Sequence, residues 1–472
     1  MAGGDEGSGR SGPDPDDLSS KFPLFAELEK LMAWRDGPVN WDLARQVAIK
    51  AASEADVAPI PAKQAEAVSD ALRLADLWLE DATVLPSGLT GPTEAWTRVR
   101  WVEATLPVWR TAIDVVAEQV TASMGTTLSQ GLQDVARDGL PPELAAMLPP
   151  EVAAQLPTDA SGFQAMLGPM MGMMGQIGGV MFGTQVGQAL GALAGEVVSA
   201  GEVGLPLAPA GTTALVPQNV AAFGQDLSIP PDEVQLYLAL REVAAARLFA
   251  HVPWLRPGLL GALDEYARGI RVDPEQISRS VESLQSSGFD PANPDSLNDA
   301  ISEGLFDVPD TPEQQRALAR LETLLALVEG WTETVVTNAS AGRLPHADAL
   351  RETIRRRRAA GGPAETTFAA LVGLTLRPRR GREAATLWEG LEMAHGIAGR
   401  DALWEHPDLL PTAEQLDDPA GFVTRDVSSD DPIAAFEALA AAGHEAPREN
   451  AAPPTDDDPG QSTSGEDDES SS

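Results

Sequence analysis

The sequence predicts a mainly α-helical protein with at most a small β element and disordered ends. Of its 472 residues, 43% are apolar, which is enough for a substantial core. Ala, Leu and Glu outnumber the β-branched and aromatic residues, and this composition favours helices. Apolar residues also recur at helical spacing in one segment after another, whereas no repeat of fixed period indicates a solenoid.

Composition divides the chain into four predicted regions. Residues 1–20 are rich in Gly, Ser, Pro and Asp, a composition too polar to collapse, and we expect them to be disordered. Residues 21–157 are predicted to form an N-terminal helical region, and residues 158–425 the main domain. Residues 426–472 hold a short predicted helix followed by a disordered acidic tail.

The apolar spacing locates the individual helices, and Asn40 is the expected N-cap of the second. The predicted helices are 22–34, 40–51, 61–81, 108–137, 236–255, 259–269, one starting at 274, 312–338, 350–359, 367–374, 383–394 and 433–442. Pro and Gly interrupt the helical pattern over residues 205–220. Between these breakers, Thr212–Val216 predict a short strand beside the helix of 236–255.

The stretch 164–200 carries glycines spaced four apart: Gly175, Gly179, Gly183, Gly187, Gly191 and Gly195. On a helix such positions drift only about 40° around the axis, so they predict a smooth groove that another helix can approach closely. Residues 177–195 carry no charge and approach the minimum length for crossing a bilayer. Polar side chains within them and the lack of flanking anchors favour a buried helical hairpin instead. Membrane association through this hairpin is the alternative.

The acidic composition restricts the partners and the chemistry. With 71 acidic and 33 basic residues the net charge is −38, which repels nucleic acid and anionic membranes. No cysteine is present, so disulfides, thiolate zinc sites and cysteine nucleophiles are excluded. The N-terminus is polar and acidic, unlike a signal peptide, and we expect a cytoplasmic protein. The basic residues Arg355–Arg358, with Arg377, Arg379, Arg380 and Arg382, lack interleaved aromatics and are interpreted as a local counterweight to acidic surfaces rather than a phosphate site.

Residues 230–255 form the centre of the predicted fold. Pro230–Glu233 provide fixed φ angles, a capping carboxylate and an acidic first turn, and Pro253 ends the helix. Within the helix, Arg241–Ala245 fill the five-residue frame in which zinc peptidases carry His-Glu-x-x-His. Glu242 is present in this frame, but both histidine positions are changed.

This helix and the Val-Pro-Trp-Leu at 252–255 resemble the zincin-like metallopeptidase family, whose members are often labelled hydrolases and include a branch associated with deazaflavin-cofactor biosynthesis. The resemblance covers about residues 160–425. Its further blocks are Glu329-Gly330, Arg355–Arg358 with Gly361–Pro363, Leu371–Leu374, and Gly399–Asp401 through Trp404, Pro407, Leu410-Pro411 and Asp418-Pro419.

The resemblance implies a zincin-like fold, a zinc cofactor and zinc-dependent proteolysis, with Glu242 as general base and Glu329 as third zinc ligand. Two histidines one turn apart would complete such a site. Here the first position is Arg241, which has no lone pair, and the second is Ala245, which has no ligand atom. We therefore expect a metal-free pseudo-peptidase that binds a protein or peptide partner, with Glu242 as a structural remnant.

An alternative function, the environment of Arg241 and the oligomeric state all stay open at this point. A rearranged metal site would keep the protein an active hydrolase, although His251 lies about half a turn out of phase with Glu242. For Arg241, one hypothesis is that its guanidinium takes the place of the cation and bridges Glu329 and Glu333. The other is that Arg241 is exposed beside a solvated Glu242.

Overall fold

The computed structural model describes residues 37–53, 59–138, 160–269, 311–361, 367 and 380–424. Within these ranges the chain forms twelve helices and one two-stranded sheet, so the predicted mainly helical fold with a small β element is confirmed. The predictions for residues 1–20 and 426–472, and for the helices at 22–34 and from 274, lie outside the described residues. So does all but one residue of the helix predicted at 367–374.

The elements are numbered here in chain order. They are α1 (Trp41–Ser53), α2 (Ala62–Leu79), β1 (Thr93–Ala95), α3 (Arg98–Asp138), α4 (Ala160–Glu196), β2 (Thr213–Leu215), α5 (Pro217–Gly224), α6 (Pro231–His251), α7 (Leu255–Arg268), α8 (Pro312–Ser340), α9 (Ala347–Ala359), α10 (Gly381–Ala402), α11 (Ala413–Leu416) and α12 (Pro419–Val423). Two short 3₁₀ turns, Leu403–Glu405 and Pro407–Leu409, connect α10 to α11.

Side-chain caps begin α1, α8 and α11, where Thr412 and Gln415 form a capping box, whereas α6 begins without one. The side chain of Asn40 accepts a hydrogen bond from Leu43 N at 3.0 Å, as expected for the N-cap of α1. At α8, Thr311 and Gln314 form a reciprocal capping box. The expected capping carboxylate of α6 is wrong, because no side chain caps this helix and Glu233 accepts a hydrogen bond from His346 N instead.

Helix α3 begins ten residues before its predicted start at 108 and continues through Pro107. The proline removes one backbone donor, and a proline inside a helix normally argues for a boundary. Trp101 and Trp109 are both buried on either side of it. We attribute the continuation to this burial, because packing of large aromatic side chains contributes more than one helical hydrogen bond.

The glycine-rich stretch forms a single helix, α4, and the predicted hairpin over 164–200 is wrong. The predicted close approach is confirmed, since α1 lies along the glycine groove. A Cβ placed on Gly187 would lie 2.6 Å from Ala44 O, and one placed on Gly183 would lie 2.7 Å from Asn40 O. The glycines thus admit the backbone of α1 without interrupting the helix. No described helix combines the length and hydropathy needed to cross a bilayer.

The predicted strand beside α6 is confirmed as β2. It pairs in parallel with β1, in the register Glu94 to Ala214, and β1 was not predicted because three residues carry too little pattern. Leu215 also forms an antiparallel bridge with Ser199, from the segment that follows α4. Helix α6 packs against α2, α8 and β2, which makes it the centre of the described fold.

Candidate functional site

Arg241 and Glu242 are both withdrawn from solvent on the central helix α6. The side chain of Arg241 is 10% exposed, and Glu242 is buried at 5% exposure. The alternative of an exposed Arg241 beside a solvated Glu242 is therefore wrong. Two charged groups removed from water at adjacent positions each need compensation, so their partners decide what this region can do.

Arg241 forms a close ion pair with Glu329 of α8, as one of the two sequence hypotheses expected. Its Nη2 lies 2.6 Å from Glu329 Oε1, and the other carboxylate oxygen lies 2.9 Å from Arg358 Nη2. Burial alone would raise the pKa of Glu329, but the two guanidinium groups outweigh it and hold that pKa below its usual value. Each oxygen of Glu329 is thus engaged by a cation.

The expected bridge from Arg241 to Glu333 is absent. Glu333 instead pairs with Arg355, whose Nε donates to Glu333 Oε2 at 3.0 Å. Burial tends to lower the pKa of Arg241, and its neighbouring carboxylates, chiefly Glu329, raise it above the usual value. Arg241 is therefore permanently charged, with Glu329 as its carboxylate partner.

These contacts belong to a polar seam between three helices. We use this name for Tyr237 and Arg241 of α6, Glu329, Glu333 and Thr337 of α8, and Arg351, Arg355 and Arg358 of α9. Seam residues four apart on α8 face seam residues three or four apart on α9. The contacts between the two helices therefore follow one another in levels, one for each helical turn. The last level joins Arg351 Nη1 to Thr337 Oγ1 at 3.3 Å.

Glu242 bonds a different part of the structure, the backbone around β2. Its carboxylate accepts hydrogen bonds from Gly201 N at 2.9 Å and Ala214 N at 3.4 Å, and a third from the Ser199 side chain. Burial raises the pKa of Glu242 to about 7, although these three bonds favour the charged form. A side chain at residue 201 would crowd this contact, because a Cβ there would lie 3.1 Å from Glu242 Oε2.

The residues of the family frame do not fit zinc. Arg241 provides a cation where a ligand lone pair is needed, Ala245 provides no ligand atom, and Glu329 is already shared by two arginines. Within the described ranges no group of three His, Asp or Glu side chains has the geometry to hold a metal ion. Of the remaining histidines, His251 is exposed on α6 and His346 pairs with Glu233.

Polar atoms of the seam remain without a partner among the described residues. Arg241 Nη1 and Tyr237 Oη are buried and make no hydrogen bond within this part of the chain. Burial raises the pKa of Tyr237 to about 12, so its hydroxyl stays protonated and remains a donor. The seam therefore joins neutralised charges to unused hydrogen-bond donors, an arrangement suited to binding rather than to activating a water molecule.

Sequence reasoning missed Arg358 as the second cation on Glu329. The signal was present, because Glu329 and Glu333 are one turn apart and so are Arg355 and Arg358. The interpretation of the basic run as a counterweight to acidic groups agrees with the contacts of Arg355–Arg358, since each of these four has an acidic partner. The pairs are Arg355–Glu333, Arg356–Glu352, Arg357–Glu202 and Arg358–Glu329. Arg380 also pairs with Asp417, whereas Arg377 and Arg379 lie outside the described residues.

Comparison with known proteins gives one sequence family and one solved structure. A sequence profile described as zincin-like metallopeptidase matches residues 39–423, a range that begins well before the motifs quoted above. The structure is a proposed hydrolase with a novel fold from Chloroflexus aurantiacus, at 18% identity and a TM-score of 0.54. The similarity covers 82% of this chain and 98% of that one, and at this identity it shows the fold alone. Among curated proteins no match was found.

Proposed function

This chain belongs to the zincin-like metallopeptidase family, and we propose that it is a pseudo-peptidase, a member that binds a partner instead of cleaving peptides with zinc. The observation that carries the proposal is the ion pair of Arg241 with Glu329 at 2.6 Å. It puts a fixed cation at the first ligand position of the family frame. It also occupies the carboxylate that the resemblance implies as third ligand.

The environment of Glu242 supports a structural role for this residue. A general base acts on a water molecule within hydrogen-bond reach. Both oxygens of Glu242 instead accept backbone amides, one from Gly201 and one from Ala214. We propose that Glu242 fastens α6 to β2 and to the segment after α4, as a remnant of the catalytic residue.

The partner that we propose is a protein or peptide, and the location the cytoplasm. The net charge of −38 opposes nucleic acid and anionic membranes. The arginines at 355–358 do not offset this, because each is paired with a carboxylate. Neither a rearranged metal site nor membrane association gains support from a contact among the described residues, so neither is taken further.

The direct test is the zinc content of tag-free protein purified without added metal, measured by elemental mass spectrometry. We expect a value near zero. About one zinc per chain, lost on Glu329→Ala, would overturn the proposal and establish a rearranged catalytic site. The zinc content shows whether the purified protein carries zinc. A second experiment tests whether the frame at 241–245 can bind zinc once histidines are placed in it.

A double variant, Arg241→His with Ala245→His, is used for this experiment. It places two imidazoles one turn apart and frees Glu329 from Arg241. Since a ligand that binds only the folded state raises the melting temperature, zinc should stabilise this variant and leave the wild type unchanged. An equal rise in both proteins would overturn the proposal. No rise in either would mean that this frame is not the counterpart of the family metal site.

A further inference from the structure

Exposed apolar side chains cluster at the C-terminal end of α2. Leu77 is 65% exposed, and with Leu74 and Val84 it makes three of the five large apolar side chains exposed in the part of the chain that the structure describes. Val84 belongs to the segment that turns back along α2, where Ser87 Oγ donates to Asp76 Oδ2 at 2.7 Å. Single exposed apolar residues are common on protein surfaces, whereas a cluster indicates a surface that another molecule covers.

Two charged side chains of opposite sign flank Leu77 on this surface. Arg73 lies one turn before Leu77, and Glu80 lies one turn after it. Glu80 is the C-cap residue of α2 but keeps helical backbone angles, φ −57° and ψ −34°, so it continues the same face. Both side chains are exposed. A positive charge before the apolar centre and a negative charge after it make the face complementary to a second copy of itself that runs antiparallel.

Arg73 and Glu80 have partners within the chain but can each accept another. Arg73 pairs with the exposed Asp70 at 2.9 Å, and a pair of this kind contributes about 0–1 kcal/mol. Glu80 shares the guanidinium of Arg247 with Asp76, at 2.8 and 2.6 Å, so two carboxylates meet one cation. One negative charge is therefore left over at this end of α2, and Arg73 of a second copy can neutralise it.

The further carboxylate beside this surface, that of Asp81, is compensated within its own chain. Its Oδ2 pairs with Arg343 at 2.9 Å. The guanidinium of Arg343 also lies over the ring of Trp78, at 5.4 Å from the ring centroid. Asp81 therefore adds little repulsion between two copies, and the partly buried Trp78 extends the apolar surface.

We propose that this surface binds a second copy of the chain, with α2 antiparallel to α2 of the partner subunit. Leu77 lies near the twofold axis, because the midpoint between positions 73 and 80 falls beside it. Each Arg73 then faces Glu80 of the partner subunit. One helix face per copy is small against the roughly 1,200 Å² that stable interfaces bury, so the dimer is transient, with a Kd in the micromolar range. The surface is separate from the Arg241–Glu329 ion pair, and the dimer does not depend on the proposed loss of zinc.

The first test follows the association of the full chain by analytical ultracentrifugation. Each copy carries a net charge of −38, so the measurement is made at about 0.15 M salt, where charges are screened beyond about 8 Å. We expect the weight-average mass to rise with concentration from one chain towards two, with a Kd below about 100 µM. Leu77→Gln and Arg73→Glu should each weaken association at least about tenfold, the second because it sets like charges opposite each other.

Met393→Gln is the matched control for these variants. Met393 is 85% exposed on α10, so the substitution removes a large exposed apolar side chain outside α2. It should associate as the wild type does. Circular dichroism and thermal melting check that each variant is folded.

A second experiment locates the axis through single cysteines. The chain contains no cysteine, so one introduced thiol reports only on its own contacts. Leu77→Cys places two thiols across the axis, and oxidised glutathione should join the copies by a disulfide, which needs Cβ atoms about 4 Å apart. Met393→Cys is the control, and it should cross-link at least about tenfold more slowly.

Several outcomes would overturn the proposal. A wild type that stays monomeric at about 300 µM would show that this surface is covered by another part of the chain or faces water. Unchanged association of Leu77→Gln, or equal cross-linking of Leu77→Cys and Met393→Cys, would place the interface elsewhere. Weakening by Leu77→Gln without weakening by Arg73→Glu would contradict the antiparallel arrangement. A mass that rises beyond two chains would contradict the twofold axis.

Discussion

Two buried arginine clusters in this fold differ in how completely the guanidinium nitrogens are hydrogen-bonded. Arg400 of α10 is fully buried, and its donors engage Asp401, Glu392 and the carbonyl oxygen of Ala82. Arg241 of α6 is nearly as buried, yet its Nη1 has no partner among the described residues. Both clusters connect helices, but only the first satisfies all of the donor nitrogens of its arginine.

The side chains around the two arginines differ in the same way, in whether they have hydrogen-bond partners. Asp401 accepts from Trp331 Nε1 at 2.8 Å, Thr83 Oγ1 at 2.6 Å and Val84 N at 2.9 Å, which connects α8, α10 and the segment after α2. Beside Arg241, the hydroxyl of Tyr237 has no partner among the described residues. A fully paired network contributes stability and rigidity, whereas a partly paired one reduces stability and retains polar groups that a ligand can use.

The comparison separates a fully paired cluster from the region of the family frame. The Arg400–Asp401 cluster has the contacts of a structural cluster, since each donor nitrogen of Arg400 and each carboxylate oxygen of Asp401 has a partner among the described residues. The region of the family frame has buried donors without a partner among the described residues, and its charges are paired with one another. The following predictions test this distinction, beginning with the largest expected effect.

Asp401→Ala should lower the free energy of unfolding by about 3–5 kcal/mol, because it leaves Arg400 charged in a buried position and removes three further hydrogen bonds. Chemical denaturation at neutral pH measures this. Asp408→Ala is the matched control, since the side chain of Asp408 is 89% exposed, and it should change little. Similar small effects from both substitutions would contradict a structural role for the cluster.

Glu242→Gln should change the pH dependence of stability. The folded pKa of Glu242 is about 7 and the ordinary value is 4.5, so between these values the folded protein binds more protons than the unfolded chain. Its contribution to stability is therefore present below about pH 4.5 and is lost as the pH rises through 7, with a total of about 3 kcal/mol. Relative to Glu242→Gln, the wild type should lose stability between pH 5 and 8. Parallel profiles would show that burial does not raise this pKa.

Arg241→Met should destabilise the protein by about 2 kcal/mol, less than Asp401→Ala, because Glu329 keeps the guanidinium of Arg358. Adding Glu329→Gln should recover part of the loss, since it removes the carboxylate left with a single cation. Denaturation of the two single variants and the double variant forms a cycle that isolates the pair. Additive effects would mean that the ion pair contributes no interaction energy of its own.

Much of the fold could be predicted from the sequence, because helical spacing and capping residues are local signals. They located the helices around Asn40 and at 312–338, and the strand at 212–216. The glycine pattern predicted the approach of another helix but not its identity, since α1 lies far away in the chain. The three residues of β1 have no local signal and depend on pairing with β2.

The site was predictable only in part. The spacing within Arg241–Ala245 and the position of Glu329 indicated the ion pair. The backbone partners of Glu242 depend on how distant segments meet, and no local pattern encodes that. The roles of Glu242 as a remnant base and of Glu329 as a former ligand remain predictions.

The sign of a small effect separates the two clusters best. Thr83→Val removes a hydroxyl that donates to Asp401 at 2.6 Å, and it should destabilise the protein by about 1–2 kcal/mol. Tyr237→Phe removes a hydroxyl that has no partner among the described residues, so it should leave the stability unchanged or raise it by up to about 1 kcal/mol. Thermal and chemical unfolding of both variants without ligand measures the difference. Destabilisation by Tyr237→Phe of the same size as that by Thr83→Val would mean that this hydroxyl is satisfied in solution, and the contrast between a closed cluster and an open one would then fail.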